Sequence, residues 1–124
     1  MNPLDSLGLS VGLTVLAGVL HVVMKPAMDG SLRRNALVGI RTKATMSSDA
    51  AWLAGHRAAG RWMRIMVRTG YGAGLASLTL ALGLGALDRQ RPVPLVIALA
   101  GYAAIVLLLT LAARDANAAA KSSH

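Results

Sequence analysis

Three runs of this chain are apolar for longer than the interior of a small soluble domain requires: residues 7–24, 65–87 and 93–113. The first and third contain no Lys, Arg, Asp or Glu, and the second contains only Arg68, close enough to its start to reach an interface. Each can cross the roughly 30 Å hydrocarbon layer as a helix. Inside lipid the backbone must pair with itself, so a spanning segment is a helix or part of a closed barrel, and unbroken apolar runs of this length select the helix. The expected fold class is therefore all-α: an integral membrane protein with three transmembrane helices, forming one domain over residues 1–124. A composition 55% hydrophobic yet without Phe, and with only two Trp and two Tyr, suits thin membrane helices of Leu, Ala, Val and Gly.

Charge sets the expected orientation. Nine of the thirteen Lys and Arg residues lie between Lys25 and Arg68, two more are Arg114 and Lys121, and the remaining two are Arg89 and Arg91. With the N-terminus outside, eleven cations face the cytoplasm and two do not, as the positive-inside rule requires. Residues 1–6 carry Asp5 and no cation, unlike the start of a cleaved signal peptide, so the first run reads as a retained helix. Lys25-Pro26 is expected to end it, because proline cannot donate the next helical bond. Asp29-Gly30-Ser31 signals a turn, and 88–92 a tight connection between the second and third spans. The tail, 114–124, is expected to fray or to extend the third helix briefly.

Between the first two spans, residues 25–64 carry most of the polar chemistry. Asn35, Gly39, Arg41, Thr42 and Thr45 crowd glycine, hydroxyls and a guanidinium into a shaped loop. Ser47 or Ser48 can then cap a helix whose first turn holds Asp49. At about 100° per residue, Trp52, His56, Ala59, Met63 and Met66 share one face, while Arg57, Arg61, Arg64 and Arg68 share another. This pattern predicts a cytoplasmic amphipathic helix lying on the membrane surface, with Trp52 as an interfacial anchor and the arginine stripe on anionic lipid headgroups. Arg41 is suited to bidentate contact with a carboxylate or phosphate, and equally to tying the loop to helix ends.

Catalytic chemistry is sparse. The five carboxylates, Asp5, Asp29, Asp49, Asp88 and Asp115, are scattered, there is no Glu or Cys, and His21, His56 and His124 share no helix face. Paired-carboxylate catalysis, thiol chemistry and a metal site are not expected, and no cofactor is implied. His21 reads as an interfacial or packed residue. The excess positive charge is accounted for by the cytoplasmic loop, so nucleic acid is not needed as a partner.

The residues Asn35-x3-Gly39-Ile40-Arg41-Thr42-x2-Thr45, followed by Ser48, Trp52, His56-Arg57 and Gly60, resemble the signature of the SdpI family of small bacterial membrane proteins, over about a quarter of the chain. The resemblance implies a bacterial inner-membrane protein of the immunity and signalling type, whose founding member protects its producer from a secreted peptide toxin and holds a transcriptional repressor at the membrane. Two departures stand out: Arg34 replaces a proline common before the asparagine, and the founding type is about twice as long. The expected function is thus non-enzymatic binding of a peptide, lipid headgroup or cytoplasmic regulator, through Asn35, Gly39, Arg41, Thr42, Thr45, Trp52 and His56. Thin glycine-rich helices also favour a homo-oligomer. The alternative is a small oligomeric transporter or channel subunit, which the absence of a carboxylate within the three spans disfavours.

Overall fold

The computed structural model describes residues 3–123 and is mostly helical, with no strand among the described residues. Three long helices, α1 (Pro3–Asp29), α2 (Asp49–Ala86) and α3 (Val93–Lys121), are joined by a long loop and a short turn, with one 3-10 turn at Thr45–Ser47. All three are long and apolar enough to cross a membrane. Their outward faces carry Val11, Val15, Val19 and Val22 on α1 and Val96, Leu99, Val106 and Leu107 on α3, all exposed. Exposed apolar surface of this extent is what helices set in lipid carry.

The helices contribute to two compact units, one comprising residues 1–19 and 66–106, the other 20–65 and 107–124. In the first unit the helices approach through small residues. A Cβ on Gly70 would lie 2.8 Å from the Ala17 Cβ, one on Gly101 would lie 2.5 Å from Leu13, and one on Gly74 would strike Thr14, backbone included. Gly12 leaves room for the Tyr102 hydroxyl, which donates to the Leu9 carbonyl at 2.8 Å. Gly8, Gly72, Gly83 and Gly85 meet nothing within 4 Å, so among Gly70, Gly72, Gly74, Gly83 and Gly85 of α2 only Gly70 and Gly74 serve close packing. Ser10 and Ser77 hydroxyls meet at 2.5 Å, and Ser77 donates to the Pro94 carbonyl. Apolar lipid supplies no hydrophobic drive between helices, so close contact and such hydrogen bonds carry the association.

The second unit is packed differently. Ala27, Ile40, Ala59, Met63, Ala112 and Ala116 form its core, with Met24, Met28, Leu32, Trp62 and Ala113 against it. Gly55 admits the backbone of α3 at Ala116, to which a Cβ would come within 2.9 Å.

Three expectations need correction. α1 does not stop at Lys25-Pro26 but continues to Asp29. Proline removes only its own donor, and so late in an established helix the loss is confined to one bond. The Pro26 carbonyl instead receives the Ser31 and Leu32 amides, while Gly30 closes the helix at φ 78°, a conformation that favours glycine. Second, residues 49–64 do not form a separate surface helix: they are the first turns of α2, which runs 38 residues without a break, about 57 Å at about 1.5 Å per residue. The face drawn through Trp52, His56, Ala59, Met63 and Met66 is real, but each of these residues is at most 2% exposed, buried by protein rather than by lipid. Third, α3 extends through the tail to Lys121, with Ala116 and Ala120 fully buried.

Candidate functional site

The loop between α1 and α2 is shaped by local bonds that its own sequence supplies. The Asn35 side-chain oxygen accepts the Leu37 and Val38 amides at 2.8 and 2.7 Å, and its nitrogen donates to the Arg33 and Val38 carbonyls. Short polar side chains readily make such turns. Further on, the Thr45 hydroxyl accepts the Thr42 amide at 2.8 Å and donates to the Ile40 carbonyl at 2.8 Å, while the Thr42 hydroxyl accepts the Thr45 amide at 3.1 Å. Thr45 is fully buried. The Ser48 hydroxyl caps α2 by accepting the Ala51 amide.

This shaped loop is then fastened to α2 by two side chains. Trp52 donates from Nε1 to the Leu32 carbonyl at 2.8 Å. His56 accepts the Ile40 amide on Nε2 at 2.9 Å, which places its proton on Nδ1, where it donates to the Trp52 carbonyl at 2.8 Å. The two rings lie 4.1 Å apart between centroids. Gly39 crosses directly over them with φ 105°, and a Cβ there would come within 2.7 Å of His56 Nε2 and 3.0 Å of Trp52. Glycine is required twice, for the backbone conformation and for the approach.

Of the residues anticipated from sequence, then, Asn35, Gly39, Thr42, Thr45, Trp52 and His56 are brought together, and their polar groups are engaged with the chain itself. Trp52 is a buried tie and not a surface anchor. Arg41 is the exception: it is exposed and makes no hydrogen bond or ion pair among the described residues. Arg57, Arg61, Arg64 and Arg68 all lie exposed along α2. Arg61 is engaged within the protein, 3.5 Å from Asp115 and 4.7 Å above the Trp62 ring.

Several contacts had no forewarning in the sequence. Arg34 donates to the Met46 carbonyl at 3.1 Å and pairs with Asp49 at 3.2 Å, bracing the loop across its width. Trp62 donates to Asp115 at 2.6 Å, which gives the tail carboxylate a purpose. Their only visible signal was two acids, Asp49 and Asp115, set among cations. A shallow hollow of about 410 Å³ on the same unit is bordered by Lys43, Ala44, Ser47, Asn117 and Lys121. Among the described residues no group of three or more His, Asp or Glu could hold a metal ion.

A folded polar loop riding on helices long and apolar enough to cross a membrane defines a multi-pass helical membrane protein. The SdpI/YfhL protein family model matches residues 31–111, more than half of the chain, and begins at the loop just described. The chain belongs to that family. No curated protein and no solved structure matches it.

Proposed function

We propose that this protein sits in the bacterial inner membrane, N-terminus outside, and uses the cytoplasmic face of its loop to bind an acidic partner without catalysing a reaction. One observation carries the reading: Asn35, Thr42, Thr45, Trp52 and His56 satisfy one another or the nearby backbone, while Arg41 stands in the middle of this rigid frame with all its donors unspent. A guanidinium on a preordered loop loses little freedom when it takes a carboxylate or phosphate, and it presents a planar fork rather than a point charge. The frame itself is thus a mount, and Arg41 the contact it holds out. A peptide toxin or a cytoplasmic regulator bearing carboxylates fits this chemistry, in keeping with the immunity and signalling roles that the resemblance implies. The flanking cations Arg33 and Lys43 and the α2 stripe would steer such a partner and hold the region at anionic lipid.

The test is Arg41→Ala beside Arg41→Lys in cells challenged with a membrane-active peptide, or in capture of acidic cytoplasmic proteins, with insertion checked in each case. Loss in both variants is expected, since lysine lacks the fork. Full activity of Arg41→Ala overturns the reading. Should the combined Arg57→Gln, Arg61→Gln and Arg64→Gln variant alone lose activity, the protein is a lipid-held scaffold; solute or proton flux into vesicles containing the purified protein would make it a transporter.

A further inference from the structure

The first unit contains a cleft of about 380 Å³ where α2 ends and α3 begins. Its lining joins the turn residues Asp88, Arg89 and Arg91 to a largely apolar side of Ala81, Leu84 and Pro94, with the buried Ser6 of α1 among them. The turn is ordered by its own backbone: the Arg89 amide donates to the Leu84 carbonyl at 2.8 Å and the Asp88 amide to Gly85 at 3.1 Å. Neither guanidinium, of Arg89 or of Arg91, makes a hydrogen bond or ion pair among the described residues, and the Asp88 carboxylate pairs with neither. Two guanidinia therefore border an open cavity whose local charge, counting Asp88, is +1. Below them the wall belongs to helices built to sit in hydrocarbon.

We propose that this cleft is a binding site for an anionic phospholipid, Arg89 and Arg91 holding the phosphodiester and the first carbons of an acyl chain lying over Ala81 and Leu84. Charge matches charge: a phosphodiester carries one negative charge, and arginine binds phosphate oxygens in pairs. The volume is in the range of small-ligand sites. An apolar floor beside a cationic rim suits a molecule with a charged head and a greasy tail, and offers a free phosphate only half of its contacts. Space for the tail exists because Gly85, also at the wall, has nothing within 4 Å of where a Cβ would stand. The site is independent of the loop and of what Arg41 binds.

Native mass spectrometry of the full chain in detergent, titrated with phosphatidylglycerol, tests this. The double variant Arg89→Gln with Arg91→Gln should retain the lipid roughly tenfold less than the parent, as two lost charge-assisted contacts predict. Leu84→Trp, which fills the floor without touching charge, should also reduce retention; both comparisons are made in an Arg57→Gln, Arg64→Gln background, so that lipid held along α2 does not enter. Equal retention with and without Arg89 and Arg91 in that background overturns the proposal. Equal retention of neutral phosphatidylcholine by the parent overturns it too. Displacement of the lipid by millimolar inorganic phosphate would show a small-anion site and overturn the lipid assignment.

Discussion

The two units of this molecule are assembled from segments of the same three helices, yet they are held by opposite means. In the unit of residues 20–65 and 107–124, large side chains fill the space: Trp52, Met63 and Ile40 are buried, and a loop is pinned by nitrogen donors and acceptors reaching up to twenty residues along the chain. In the unit of residues 1–19 and 66–106, Leu13, Met66 and Ile105 are buried too, but the helices close through glycine: Gly70, Gly74 and Gly101 let backbones approach Ala17, Thr14 and Leu13, and a short run of hydroxyls joins the helices. The lesson is that a unit with a polar loop to organise uses shape and hydrogen bonding to fix one conformation, whereas the unit without such a loop draws its helices together at glycines around a few buried apolar side chains. Substitutions should therefore act in opposite senses: truncation should damage the first kind of packing and enlargement the second.

The largest effect is expected from Trp52→Ala, which removes a filled volume and the tie to Leu32, at a cost of about 3–5 kcal/mol. Trypsin provides the readout, since Arg33, Arg34, Arg41 and Lys43 lie in the loop and should be cut far faster once it is released. His56→Phe isolates the polar part by keeping bulk while leaving the Ile40 amide unpaired, and faster cleavage in that variant too would show that the hydrogen bond itself fixes the loop. Next is Gly74→Leu, whose first side-chain carbon would already strike Thr14, backbone included; overpacking of about 1–3 kcal/mol is expected in a denaturant titration in detergent. Gly83→Ala is its control, where open space predicts a neutral result or a gain of about 0.5–1 kcal/mol from helix propensity. If both glycine variants behave alike, close approach is not what holds that unit. The smallest effect is Ser77→Ala, about 0.6 kcal/mol in the same titration, typical of an interhelical hydrogen bond in lipid.

Much of this architecture was legible from residues alone, for physical reasons. Spans show themselves because lipid demands long apolar runs, and the Ser48 cap and Gly30 turn show themselves because their bonds are local. The helical face through Trp52 and Met63 was equally visible, but periodicity reveals that a face is buried and not what buries it. Protein and membrane impose the same pattern on α2, so a surface helix was expected where the first turns of a long one stand. Asn35, Gly39, Thr42, Thr45 and His56 were picked out as a group, yet their roles could not be read, because a contact such as Ile40 to His56 spans sixteen residues and depends on how the loop folds back. The loop part of the family motif, residues 35–45, thus marks a frame from which Arg41 stands out without an internal bond.

The placement of the aromatic residues has a practical consequence. Both indoles of the chain, Trp52 and Trp62, belong to the loop-bearing unit, and there is no other tryptophan and no phenylalanine. Emission excited at the red edge of the ultraviolet therefore comes from that unit alone. A ligand that pries the loop from its helix would uncover Trp52 and redden the spectrum, while events confined to the glycine-packed unit would leave the colour unaltered. The unlabelled protein carries its own optical gauge of loop docking.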